Sequence, residues 1–334
     1  MRSGLGRLAV GCAAVIALIV VLAIVRRDEK VPAPHHADHA ALARDFVASG
    51  KHLLAQQRLP EAFAAFQEAV RLAPDLADGY RGLAAVAYDQ GAVIQAVAHL
   101  RKVAALDQAD GRPHRMIGHI CADLDKREEA VAAYRQALER NLTPLAEAEV
   151  RVELAEQLLR LGDADAALAM LPKEAGSVQA CAVRAEATWT TTGADDAITL
   201  VESALEKLTN EPRLLSLLGR LHVDRGEYDK AIAPLEQALA LDQAELTSLQ
   251  ALATAQERLG RADEAARVRQ RRADVQAALE RLTSLTVDAD AQPWNAAVRE
   301  ELARICGSLG KDDLATMWRH AAAQARGVTT DQGQ

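Results

Sequence analysis

From about residue 43 onward, apolar residues recur at i, i+3, i+4 and i+7, the spacing that lays one stripe along one side of a helix. The stripes come in pairs. A glycine or polar turn divides each pair, with Gly91, Gly162, Gly193, Gly226, Gly260 and Gly310 at the breaks. Small residues recur in step across the pairs. One column reads Gly50, Ala84, Gly118, Ala155, Ala185, Gly219, Ala253 and Ala303; a second reads Ala62, Ala96, Ala130, Ala167, Ala197, Ala231, Ala265 and Ala315. Successive members lie 34, 34, 37, 30, 34, 34 and 50 residues apart, and twelve residues separate the columns in every copy. Alanine is common here, so either column alone says little; the fixed offset is what predicts eight helical hairpins.

Bulk follows the small residues at fixed distance. Leu83, Ile117, Leu154, Leu218, Leu252 and Leu302 precede the first column, and Phe66, Leu100, Tyr134, Leu171, Val201 and Leu235 lie four residues after the second. Two antiparallel helices approach closely only where the crossing residues lack bulk. One hairpin cannot bury its own apolar face, so neighbours must stack.

Period, columns and endings such as Glu68–Asp75 (EAVRLAPD) resemble the tetratricopeptide repeat, as does the run from Leu218-Gly219 through Gly226-Glu227-Tyr228-Asp229-Lys230-Ala231 to Ala238-Leu239. The resemblance covers residues 43–279 as seven repeats, with an eighth, capping hairpin at 296–326 that holds Trp318 after Trp294. It implies an all-α, right-handed solenoid of about eight hairpins. Two copies depart from the pattern. Pro172 falls inside the second helix of the fourth, where it removes a hydrogen bond and should end the helix early, leaving an irregular joint near 172–180. In the seventh, Arg269 and Arg272 take positions that are apolar elsewhere, and the stripe Ala265, Val268, Val275, Leu279, Leu282 predicts a longer helix reaching about Leu285, with a helix end and loop over 280–295. Residues 327–334 read as a disordered tail.

Ahead of the repeats, a basic tail (1–7) leads into 18 uncharged residues, Leu8 to Val25. As a helix they would cover about 27 Å, close to the hydrocarbon thickness of a bilayer. A cleaved signal peptide lacks its A-x-A site, and a lipoprotein signal at Cys12 would leave too short an apolar stretch before the cut. An uncleaved transmembrane signal anchor fits best, with the lipid bilayer as partner of residues 8–25. Bases flank it on both sides, so the positive-inside rule does not orient it; the short basic head favours a repeat body on the extracytoplasmic side of a bacterial inner membrane. Residues 26–42, with Pro32 and Pro34, read as a polar linker.

Only 3% of residues are aromatic, which disfavours β-sandwiches and barrels. The net charge is −8 and becomes more negative once the first thirty residues, with five bases and two acids, are set aside; phosphate backbones would repel such a body, which excludes a nucleic-acid partner. No HExxH, GxGxxG, GxxxxGK[ST] or GxSxG motif occurs, so neither enzyme activity, nor a cofactor, nor a small-molecule substrate is expected. His35, His36 and His39 could hold a metal but read more simply as linker polarity. His114, His119 and His222, and Cys121, Cys181 and Cys306, fall where packing or capping accounts for them. Arg267, Arg269, Arg271 and Arg272 either bind an acidic lipid or peptide or form a solvated face.

The resemblance implies a groove lined by the first helix of each repeat. Carried onto this chain, the lining includes Arg44, Lys51, Arg81, Tyr88, Arg112, Arg115 and His119, then Glu149, Glu156 and Glu186. The first group suits an acidic or C-terminal segment of a protein partner, although Asp78, Asp89 and Asp123 dilute its charge. No asparagine occupies these positions, so the asparagine–lysine clamp of chaperone-tail binders is not matched. The expectation is a membrane-anchored scaffold for protein–protein interaction; an assembly or maturation factor for an envelope complex, of the cytochrome-biogenesis or export type, is the alternative.

Overall fold

The computed structural model describes residues 36–172, 176–292 and 295–331. The expected anchor at 8–25, the first part of the linker, His35 and Trp294 lie outside them. Among the described residues every regular element is a helix, and none is long and apolar enough to cross a membrane. The chain divides into two compact units between Pro113 and His114.

The first unit holds α1 (His36–Ala55), α2 (Leu59–Leu72), α3 (Ala77–Asp89) and α4 (Val93–Leu106). The second begins within α5 (Arg112–Asp123) and continues through α6 (Arg127–Leu138), α7 (Pro144–Arg160), α8 (Ala164–Met170), α9 (Val178–Thr191) and α10 (Ala194–Lys207). After these come α11 (Pro212–Asp224), α12 (Tyr228–Leu241), α13 (Leu246–Arg258), α14 (Ala262–Ala291), α15 (Ala296–Ser308) and α16 (Asp312–Asp331). Odd-numbered helices are the first of each hairpin. Each unit is an all-α stack in which such helices also pack on one another: α1 on α3, α7 on α9, α9 on α11, and α11 on α13.

Both small-residue columns are buried in all eight copies, the second at 0–2% exposure throughout. A Cβ added at Gly50 would lie 2.7 Å from the Phe66 ring, one at Gly118 2.5 Å from Tyr134, and one at Gly219 2.3 Å from Leu235. These distances are sub-van der Waals, so glycine is what lets the helices meet there. In the first unit Phe66 is also met by Gly82 of α3, which seats the ring between two hairpins.

The hairpin turns explain the six glycines at the breaks. Each has φ between +71° and +108°, a left-handed conformation that costs glycine nothing. Gln57 and Asp125 take the same conformation at the equivalent places, with φ of 60° and 57°. Four of the first helices start on polar caps: Thr143 accepts from Ala146 N, Ser177 from Ala180 N, Glu245 from Thr247 N and Ser248 N, and Asn295 from Val298 N.

The seven-residue α8 ends at Met170, two residues before Pro172, as the proline requires. Three boundaries differ from expectation. Helix α1 starts at His36, inside the stretch read as linker, because no proline follows Pro34 there and alanine-rich sequence favours helix. Helix α14 passes Leu285 and runs to Ala291, since no proline or glycine interrupts it and the stripe continues through buried Leu285 and Ala289. Helix α16 runs to Asp331 rather than ending at 326. Trp318 packs, partly buried, against a cluster that includes Leu249, Leu285 and Leu302, as a cap should.

Gly219→Ala should destabilise the chain by about 1–3 kcal/mol through overpacking against Leu235, net of the helix propensity it gains. A Cβ at Gly307 would meet only Ala315 at 4.0 Å, so Gly307→Ala should be neutral or stabilising by up to about 1 kcal/mol. Urea unfolding of the two variants checks the contrast.

Candidate functional site

In the first unit most of the expected groove cations are held by carboxylates. Arg81 pairs with Asp78, donates to Asp110 at 2.8 Å and lies 3.6 Å from Asp107. Lys51 lies 3.6 Å from Asp78. Asp110 is the hub. Its side chain is 6% exposed and accepts from Arg112 backbone N at 3.0 Å, from Arg112 Nε at 2.8 Å and Nη2 at 2.9 Å, and from Arg81. Burial alone would push this carboxyl up, but the hydrogen bonds from Arg112 and Arg81 outweigh it and hold it below the usual range. Arg44 and Tyr88 are exposed on α1 and α3. Lys102 lies 5.9 Å over the Tyr80 ring.

In the second unit, Arg115 pairs with Glu149 at 2.7 Å and Glu153 at 2.5 Å, and His119 lies 3.4 Å from Glu153 and edge-on to Tyr134. Polar contacts like these step from one first helix to the next. Gln179 donates to Glu156 at 2.8 Å, Arg220 lies 3.6 Å from Glu186, Trp189 Nε1 donates to Asp224 at 2.8 Å, and Ser216 donates to Glu245 at 3.0 Å. The charge that reads as basic in sequence is therefore largely neutralised within the lining.

Two grooves lie along this face of the second unit. One, of about 590 Å³, is lined by Arg115, Leu145, Glu149, Val152 and Gln179. The other, of about 450 Å³, is lined from α9, α11, α13 and α14, with Trp189, Arg220, Gln250 and Arg272 among its residues. Of the second groove's residues, sequence reasoning singled out only Arg272, as part of a basic run that either binds an acidic lipid or peptide or forms a solvated face.

The histidines and cysteines behave as packing groups. His222 is buried, with its Nδ1 2.8 Å from Glu227. Cys121 and Cys306 are buried, and burial pushes the Cys181 and Cys306 thiols up, away from the thiolate a nucleophile needs. Among the described residues no three His, Cys, Asp or Glu side chains lie close enough to hold a metal; of the linker histidines only the half-buried side chain of His39 is described.

The stack of hairpins, its glycine-paced crossings and its polar ladder define a class of helical-repeat protein. Tetratricopeptide-repeat models match residues 47–112, 116–172 and 214–247, and the chain is a tetratricopeptide-repeat protein. A tetratricopeptide repeat protein from Parabacteroides merdae superposes with a TM-score of 0.57 at 14% identity, covering 79% of this chain and 99% of that one; the likeness is one of fold. Pseudomonas aeruginosa pilF gives a TM-score of 0.42 at 17% identity over 69% of this chain and 90% of its own. No curated protein matches the chain.

Asp110→Asn should cost about 2 kcal/mol by weakening charge-assisted hydrogen bonds to two arginines. Because the folded carboxyl titrates below its unfolded value of about 3.9, its contribution is fully present above that pH and lost as pH falls through the lower, folded value. Acid unfolding of the variant should show a correspondingly flatter loss of stability below about pH 4.

Proposed function

We propose that the protein is a non-catalytic scaffold that holds extended segments of partner proteins along the exposed faces of its first helices. One observation carries the proposal: successive first helices pack side by side within a unit, so their outward faces form a preformed surface with grooves rather than an enclosed polar cleft. A rigid receptor loses little entropy when a partner docks. The tetratricopeptide-repeat family supports the same reading, because stacked repeats build extended binding surfaces.

The finer part of the proposal is location. The uncharged run 8–25 anchors the chain in a bilayer, with the repeats on the extracytoplasmic side, and tethering raises the local concentration of the groove at the membrane. Crosslinking in intact membranes followed by mass spectrometry should recover peptides of a partner joined to first helices; crosslinks confined to second helices would contradict the proposal. In sealed inner-membrane vesicles with the cytoplasmic face outward, exposed Lys230 should resist added trypsin until detergent is supplied, whereas cleavage without detergent would place the repeats on the other side.

A further inference from the structure

Arg272 stands at an odd place. It lies on the stripe of α14 between Val268 and Val275, where an apolar side chain would pack, and it is half-buried. Its Nε is buried and has no hydrogen-bond partner. Its neighbours are all engaged: Arg267 lies 3.8 Å from Glu264, Arg269 pairs with Glu257 at 2.9 Å, and Arg271 donates to the Gln243 carbonyl at 3.2 Å. Among the described residues no carboxylate pairs with Arg272. A buried Nε–H without an acceptor costs stability that a leucine there would not.

The same side chain lines the 450 Å³ groove. Opposite it, the Arg220 guanidinium lies 5.4 Å over the Trp189 ring, and Trp189 Nε1 occupies Asp224, the one acid of the lining. Arg220 also lies 3.6 Å from Glu186, so Arg272 is the cation of this lining that no carboxylate among the described residues meets. Along α13, Thr247, Gln250 and Thr254 line the groove at successive turns, with Thr247 Oγ1 donating to Glu245, Gln250 Nε2 to Thr254 Oγ1 and Thr254 Oγ1 to the Gln250 carbonyl. The row is polar along its length and holds no further cation for a terminal carboxylate, which suits a main chain running past Arg272 rather than ending there.

Resting on the scaffold reading, we infer that this groove binds an extended internal segment of a partner protein through an Asp or Glu side chain paired with Arg272. The incoming carboxylate supplies the partner that the chain itself lacks, in the bidentate geometry guanidinium favours.

The test uses the immobilised full chain and three pools of N-acetylated heptapeptides. Two are C-amidated, with Glu or Gln fixed at the centre; the third has a free C-terminal carboxylate and no acidic residue. The Glu pool should be retained at least tenfold above the Gln pool. Arg272→Leu and Arg272→Gln should both abolish that preference, with the Leu variant melting at or above the parent, while Arg271→Leu leaves the preference intact. Equal retention of the Glu and Gln pools, a preference that survives both Arg272 substitutions, or preferential retention of the free-carboxylate pool would overturn the inference. Should Arg272→Leu fail to fold, the arginine is structural and the inference falls unless Arg272→Gln folds and loses the preference. Equal retention of both amidated pools above a blank surface would sink Arg272 alone and leave the scaffold standing; a chain that retains no pool and yields no first-helix crosslinks would sink both.

Discussion

The structure depends on how closely two helix backbones can approach at one crossing in every hairpin. In the first six hairpins the position sixteen residues beyond the first-column residue supplies the bulk that fills this crossing, and the column residue must leave room for it; in the last two that position holds the exposed Arg269 and Arg319. Glycine stands opposite the largest fillers, with Gly50 against Phe66 and Gly118 against Tyr134, and also opposite Leu235 at Gly219. Where alanine takes the column, at Ala84, Ala155 and Ala185, the filler is Leu100, Leu171 or Val201, and all six fillers are buried. Space removed from one helix is thus filled from the other, as close packing demands.

That constraint leaves the outward faces of the first helices free of packing duty, and polar chemistry collects there. Each unit carries a ladder of charged and hydrogen-bonded groups between neighbouring first helices, from Arg81 with Asp110 in the first to Ser216 with Glu245 in the second. Such pairs align the hairpins and cancel charge locally, which leaves little free charge to recognise a partner. Arg272, on the second helix α14, is a cation set into an apolar stripe without a carboxylate among the described residues, bordering a groove with an aromatic wall.

Much of the fold was legible because the repeat averages over accident. The columns, the six turn glycines, the early stop before Pro172 and the long seventh-copy helix all follow from spacing and from what glycine and proline do to a backbone. Helix ends were less legible: α1, α14 and α16 run further than expected, because the prolines that marked the linker stop at Pro34 and no later proline halts α14 or α16 before it ends. The site was hardest to see. Arg81 and Arg112 read as available cations until the fold brings Asp110 to both, and Arg115 until α7 brings Glu149 and Glu153. A partial signal existed, since Arg81 with Asp110 and Ser216 with Glu245 share a separation of 29 residues, the step from one first helix to the cap of the next.

The crossing rule is tested most directly by a double-mutant cycle that converts one Gly–aromatic pair into the alanine–leucine pair found at Ala84 and Leu100. Gly118→Ala and Tyr134→Leu should each destabilise the chain, and together they should cost less than their sum by at least about 1 kcal/mol in urea unfolding, because the smaller filler makes room for the new methyl. Strict additivity would contradict the account, since it would mean that the two positions do not share the space on which the stack is built.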